Sequence, residues 1–251
     1  MKNKSLLKFI SPEVSRYKFI NGNKNFVFLV NKRLKWMKKY TKRKSNILEF
    51  GSSNCLSKLV LGEKVICTDI LKNNFIDFTL DMNNLNIPKK FKKKYDVIIF
   101  NHCLHHSKNP LKVLKKISKK IIKKKGFILI NEPETSFVFK IFLKVFNHER
   151  YDDDISNKNN KNFWYENNST GKLLFANIKK NEKFLNDYKI IENDLSEFFI
   201  FLNCSGNGVN TPYIPMNYFF LKIIHFIDHL LVKFMPGIFA LNRRVILKKI
   251  N

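Results

Sequence analysis

The feature that most constrains this chain is a pair of short apolar runs that carry acids at their ends. The first is Ile47-Leu48-Glu49-Phe50, followed by Gly51-Ser52-Ser53-Asn54, and the second is Val65-Ile66-Cys67-Thr68-Asp69. One strand–helix unit separates them, with Leu56, Leu59 and Val60 as the apolar positions of the helix. Runs this short and this apolar are expected to be buried strands of a parallel sheet. Ligands of nucleotide type lie at the carboxyl edge of such sheets. A glycine there lets the backbone approach the ligand, and an acid one unit later accepts hydrogen bonds from a ribose diol.

The same alternation continues. A third strand is expected near Ile76 to Leu80, then a polar loop ending in Ile87-Pro88, and a fourth strand from Tyr95 to Phe100. From Asn109 to Lys124, Leu111, Leu114, Ile117 and Ile121 share one helical face, while Lys112, Lys115, Lys116, Lys119, Lys120 and Lys123 share the other. Gly126 stops that helix and Phe127 to Asn131 forms a fifth strand. Alternation over 46–131 predicts an α/β fold with a Rossmann-like, doubly wound, mostly parallel sheet.

Outside that span the pattern is looser. Residues 1–23 read as an irregular arm and 24–43 as a helix. Phe137 to Phe146 reads as an apolar helix, 147–171 as a long polar loop, 172–187 as a helix and Tyr188 to Asn193 as a strand. Residues 203–217 read as a loop and Arg244 to Ile250 as the closing strand. In the helix expected over 218–234, Lys222, His225, Asp228, His229 and Lys233 form a polar stripe. Phe219, Phe220, Ile223, Ile224, Ile227, Leu230 and Leu231 form a wide apolar face. That face has to be covered, by the domain or a dimer partner, or alternatively by a membrane surface or an apolar substrate.

The chain of 251 residues carries 47 Lys and Arg against 20 Asp and Glu, a formal net charge of +27. An excess of this size suggests nucleic acid or an anionic surface. It is nearly all lysine, however, in a chain rich in Asn, Ile and Phe and poor in Ala and Gly, so codon bias accounts for much of it. Cys55, Cys67, Cys103 and Cys204 are too far apart to pair as metal ligands and read as reduced thiols of a cytoplasmic protein. Asp152-Asp153-Asp154 lacks the spacing and the glycine of a calcium loop, so no metal is expected. The apolar residues before Ser11-Pro12 are too few for a secretory core, and no apolar run is long enough to span a bilayer.

With these blocks in order, residues 46–132 resemble the class I S-adenosylmethionine-dependent methyltransferases, in particular their small-molecule branch. Ile47 to Ser53 is similar to the cofactor loop, and Cys67-Thr68-Asp69-Ile70 to the segment with the ribose-binding acid. Leu80-Asp81-Met82 resembles the adenine segment. Tyr95 to His106, with Asn109-Pro110 following, resembles the fourth-strand block, and Lys125 to Ile130 the entry to the fifth strand. The loop departs from the family's G-x-G-x-G form, because Ser53 and Cys55 stand where glycines are expected. Any such position that needs positive φ would be strained. The order of elements after residue 132, including His148-Glu149, resembles methyltransferases found with surface-polysaccharide genes.

The resemblance implies one methyltransferase domain over 1–251: an N-terminal arm and helix (1–45), a cofactor-binding core (46–132), and substrate-side elements with a helical insertion before the last strand (133–251). It implies S-adenosyl-L-methionine as cofactor. Glu49, Gly51 and Ser53 would border its methionine part, Asp69 and Ile70 its ribose, Asp81 and Met82 its adenine, and Asn101 and His102 the methionine side at the end of the fourth strand. Asp69 could instead be only a helix cap, Asp81 a turn cap at Asn83-Asn84, and Glu49 a structural acid held by backbone amides. His105, His106 and Glu132 are the candidate catalytic groups, as a base or as an orienting acid. Glu132 and Glu134 could equally cap the next helix. The expected activity is methyl transfer to a small molecule or glycan, with cell-surface polysaccharide as one setting. A lipid-linked acceptor at a membrane surface, an RNA acceptor and a cofactor-free pseudoenzyme are the alternatives.

Overall fold

Burial follows the strand pattern closely. Ile47 to Phe50 are all buried, as are Val65, Cys67 and Thr68, and Val97 to Phe100. The computed structural model describes residues 8–146, 149–176, 186–205 and 209–250. The strands are β1 (Lys8–Phe9), β2 (Ile47–Phe50), β3 (Val65–Asp69), β4 (Phe78–Thr79), β5 (Tyr95–Asn101), β6 (Ile122–Pro133), β7 (Tyr188–Ser196), β8 (Val209–Asn210) and β9 (Asn242–Lys249). Seven of them form one sheet in the order β4-β3-β2-β5-β6-β9-β7. Neighbours are parallel from β4 through β6, while β9 runs antiparallel to both β6 and β7. The chain winds outward from β2 to β4 and then returns to β5. The order therefore reverses between β2 and β5, where sheets of this kind open a ligand crevice.

Successive strand residues serve opposite faces. Leu48, Phe50, Ile98, Phe100, Ile128 and Ile130 pack with Val113, Leu114 and Ile117 of helix α4 (Pro110–Lys120) and with Phe163, Trp164 and Phe175. Ile47, Val97, Ile99 and Leu129 pack with Phe26, Val30 and Leu34 of α2 (Lys24–Leu34) and with Val60 and Leu61 of α3 (Leu56–Leu61). A half-buried sheet would alternate polar and apolar residues; here both registers are apolar because both faces are covered.

Several boundaries differ from the sequence expectation. The arm contains α1 (Pro12–Ile20), capped by the Ser11 side chain with Pro12 in its first turn, and β1 pairs with β8. The helix expected over 24–43 ends at Leu34 and continues as a 3-10 turn, Lys35–Lys39. α4 stops at Lys120 rather than Lys124, since Ile122 already pairs with Tyr95, and β6 runs on to Pro133. The apolar helix is α5 (Phe137–Val145), and the helix expected over 172–187 is described only as α6 (Thr170–Phe175), because 177–185 lie outside the described residues. Residues 206–208 of the expected loop, and His148, lie outside them too. Asp153 anchors the long polar loop. Its carboxylate accepts hydrogen bonds from Lys172, Ser169 and Thr135 and pairs with Lys140, tying the long loop to α5 and α6.

The helix Tyr218–Phe234 forms as expected, but most of its apolar face is turned outward. Its buried residues are Leu221, Asp228 and Val232, whereas Phe219, Phe220, Ile223, Phe226, Ile227 and Leu230 are exposed. Asp228 goes inward because its carboxylate accepts the backbone N–H groups of Phe198, Phe199 and Ile200, the unpaired donors at the start of the short helix Phe199–Leu202. Among the described residues, no helix is long and apolar enough to cross a membrane.

Candidate active site

The loop after β2 keeps a glycine-type backbone with only one of the three glycines. Gly51, Ser53 and Cys55 have φ of 60°, 45° and 51°, so all three alternate positions are left-handed. Non-glycine residues pay about 1–2 kcal/mol for that conformation, and each is held by a specific bond. The Ser53 N–H donates to Asp69 Oδ2 at 3.0 Å, and the buried Cys55 thiol donates to the Phe75 carbonyl at 3.0 Å. Helix α1 latches the loop from outside: the Arg16 guanidinium donates to the Asn54 and Cys55 carbonyls, and Asn54 donates to the Ser15 hydroxyl. Neither Ser53 nor Cys55 fills the crevice. A cavity of about 260 Å³ opens beside the loop, with Glu49, Gly51, Ser53, Ser57, Asn101 and His102 in its wall.

The predicted residues fall into two groups. Glu49, Gly51, Ser53, Asn101, His102, His105 and His106 line that cavity. Asp69, Ile70, Asp81 and Met82 stand outside it, at the ends of β3 and β4. The Asp69 carboxylate is turned toward the loop, accepting from the Ser53 and Leu71 N–H groups, and Ile70 and Leu71 beside it are exposed. Asp81 caps the Asn83-Asn84 turn through the Asn83 N–H and both Asn side chains, and Met82 packs on the core. Glu49 is buried and bonded by the Ser57 hydroxyl and the Cys67 thiol, not by backbone amides; burial pushes its carboxyl above the ordinary carboxylate range. All four cysteines are buried free thiols, as the sequence implied.

The candidate catalytic groups need correction. Glu132 is fully buried beneath the turn Leu104–His106 and does not face a ligand. One of its oxygens accepts the Cys103 and Leu104 N–H groups at 3.0 and 2.7 Å, and the other accepts the His105 N–H at 3.3 Å and Nδ1 at 2.5 Å. It positions His105. Glu134 is bound to Arg243, and Ser136, not either glutamate, caps α5. His105 is itself buried, with Nε2 3.3 Å from Glu149. Burial opposes its charged form, but the carboxylates of Glu132 and Glu149 outweigh that and push it up to about 10. Held between two carboxylates, a protonated His105 donates from both ring nitrogens. His106 is half-exposed, its ring tilted 39° against the His105 ring at 4.2 Å; burial and the charge on His105 lower its pKa, leaving it neutral near pH 7. His102 is likewise held neutral by burial, with Nε2 3.1 Å from the Asn242 side chain.

Arg33, Phe139, Phe142, Leu143, Asn168 and Phe201, which no sequence motif marks, also line the cavity, as does Glu149 of the His148-Glu149 pair. Arg33 holds Glu197 through two nitrogens and lies 5.3 Å from the Phe201 ring. Although no metal set was expected, ligand atoms of His105, His106 and Glu149 lie within 4.8 Å of one another. A cation there would have to displace the proton that His105 shares with Glu132 and Glu149.

A seven-stranded sheet with this strand order and one reversed strand, a left-handed loop after β2 and an acid ending β3 define a class I methyltransferase architecture. The comparisons agree. Residues 26–180, more than half of the chain, match the model of the Methyltransferase domain family (Methyltransf_23), and the chain belongs to that family. It is an enzyme that uses S-adenosyl-L-methionine. Among solved structures, a SAM-dependent methyltransferase from Archaeoglobus fulgidus shares the fold, with a TM-score of 0.52 and 17% identity over 93% of this chain and 100% of that one. The plantazolicin methyltransferase BpumL in complex with SAH gives a TM-score of 0.44 at 16% identity, covering 95% of this chain and 90% of that one. No curated protein sequence matches the chain.

Proposed function

We propose that the enzyme transfers a methyl group to a hydroxyl of a small polyhydroxylated acceptor, a glycan unit of the kind built into cell-surface polysaccharide, on the cytoplasmic side. The observation that carries this reading is the composition of the cavity wall away from the loop. Phe139, Phe142 and Phe201 stand there with His106, Glu149 and Asn168. Aromatic faces suit the C–H face of a sugar ring, and the polar groups suit its hydroxyls.

The residues fit the cofactor. The left-handed loop turns the Ser53 N–H outward onto Asp69, leaving an open wall of Gly51, Ser53, Asn101 and His102 for a methionine moiety. Asp69 would hold the ribose hydroxyls, and the exposed Ile70 would lie against the adenine. Asp81 would serve that end indirectly, by fixing the Asn83-Asn84 turn beside it. When bound, S-adenosylmethionine supplies a methyl on a cationic sulfur that leaves as a neutral thioether. The protein has to align the acceptor oxygen with that methyl and remove its proton. In this reading His106 takes the proton, and His105, fixed by Glu132, keeps His106 neutral and oriented.

Three measurements test the assignment. Asp69→Ala should weaken cofactor binding about hundredfold in calorimetry, the equivalent of two lost hydrogen bonds to a charged group, while the fold persists because its partners Ser53 and Leu71 reach solvent. Unchanged affinity would remove the ribose assignment. His106→Asn should lower kcat about 100-fold or more with cofactor affinity intact. The pH profile of the unaltered enzyme should stay level to below pH 6.5, because the base titrates below its ordinary value. A variant with normal kcat would show that another group takes the proton.

A further inference from the structure

The helix Tyr218–Phe234 presents to the outside the face that its sequence pattern marks for burial. Phe219 is 66% exposed, Phe226 62% and Phe234 74%, with Phe220, Ile223, Ile227 and Leu230 exposed among them. Tyr213 and Ile214, just before the helix, are exposed as well. A contiguous apolar face of this kind marks a contact surface. The helix is not merely displaced, because its inner side is fully engaged: Asp228 holds three backbone N–H groups, and Phe28 meets Tyr218 and His225 edge-on.

The charges around the face indicate what covers it. Asp228, the sole acid of the helix, is buried, so its exposed surface carries only cations and neutral groups. The Lys222 ammonium lies 5.0 Å from the centroid of the Tyr218 ring and the Lys233 ammonium 5.8 Å from that of Phe234, so two cations stand against the aromatics at either end of the helix. A second copy would bring another chain of net charge +27 against the first, whereas an anionic leaflet attracts both. At 17 residues the helix is about 25 Å long. With His225, Asp228 and His229 near its middle it cannot span a bilayer, but it can lie in the interface.

The face also has a connection to the cavity. The short helix Pro236–Phe239 packs on both Tyr218–Phe234 and α5. In α5, Phe139, Phe142 and Leu143 wall the cavity, while Phe137, Ile141 and Val145, one turn apart, are exposed. We propose that the helix Tyr218–Phe234 docks the enzyme on an anionic lipid surface, lying in its plane, so that a lipid-linked acceptor reaches the cavity beneath α5. The nature of the acceptor rests on the methyl-transfer reading above; the docking does not.

Flotation of the full chain with vesicles tests the docking. The chain should float with phosphatidylcholine vesicles containing phosphatidylglycerol and about tenfold less with phosphatidylcholine alone. Phe219→Glu with Phe226→Glu should cut flotation at least about tenfold, and Lys222→Ser with Lys233→Ser should remove most of the preference for the anionic lipid. Both double variants should bind S-adenosylmethionine as the unaltered chain does. Loss of that binding in the phenylalanine pair leaves the lysine pair, whose side chains are exposed, to decide. A chain that floats with neither vesicle overturns the proposal, as does a solution dimer that the phenylalanine substitutions dissociate. A chain that floats but does not bind the cofactor retains the docking and removes the methyl-transfer reading.

Discussion

Glu132→Ala is expected to cost about 3–5 kcal/mol of folding stability, the usual consequence of deleting one partner of a buried ion pair. The substitution orphans the Cys103, Leu104 and His105 N–H groups together and leaves the His105 imidazolium with Glu149 alone. Glu132→Gln keeps the shape and one acceptor oxygen, so its cost should be smaller, while His105 falls back toward its ordinary value. Chemical denaturation at several pH values separates these effects. His105 is raised in the folded state, so its pairing stabilises fully below pH 6.5, and that contribution is lost as pH rises toward about 10. The stability gap between the unaltered enzyme and Glu132→Gln should therefore narrow across that range. A Glu132→Ala protein within about 1 kcal/mol of the unaltered one, less than a single orphaned buried donor costs, would refute the positioning role.

How far the sequence could be read follows from which interactions are local. The core strands were legible because both their registers are apolar, and Ile47 to Phe50 and Tyr95 to Phe100 show this directly. The ligand edge was legible because Gly51 and Asp69 fall at strand ends. What escaped was set by partners far along the chain. Glu132 looked like a ligand-edge acid because it ends β6; only the return of the turn after β5 puts three N–H groups and an imidazole on it. Glu149 and Phe201 come from segments with no periodic signal. The orientation of the helix Tyr218–Phe234 escaped for a similar reason. Its stripes were read correctly, but the rule that the apolar face goes inward yields where Asp228 satisfies the start of another helix. Ser53 and Cys55 do take positive φ, but the Asp69 carboxylate and the Phe75 carbonyl, both distant in sequence, offset the strain.

That local balance makes Gly51 the most sensitive position in the loop. A Cβ at Gly51 would lie 2.5 Å from Cys103 Cβ and 3.1 Å from its Sγ, at a φ of +60°. Cys103 cannot give way, because its thiol donates to the Phe50 carbonyl at 3.0 Å and its N–H donates to Glu132 at 3.0 Å. Gly51→Ala therefore combines the left-handed penalty of about 1–2 kcal/mol with an overpacking cost of about 1–3 kcal/mol. It should also pull β2 and β5 apart where the cofactor sits, so affinity for S-adenosylmethionine should fall along with stability. Gly62→Ala is the matched control. It has φ of +103° with nothing within 4 Å of the added Cβ, so it should show backbone strain without the clash and leave the cofactor site intact. Ser53→Gly relaxes the φ of 45° but frees the unfolded chain, so it should change stability by less than about 1 kcal/mol in either direction. If Gly51→Ala behaves like Gly62→Ala in both denaturation and calorimetry, the close approach of β2 to the turn after β5 is not what holds the crevice open.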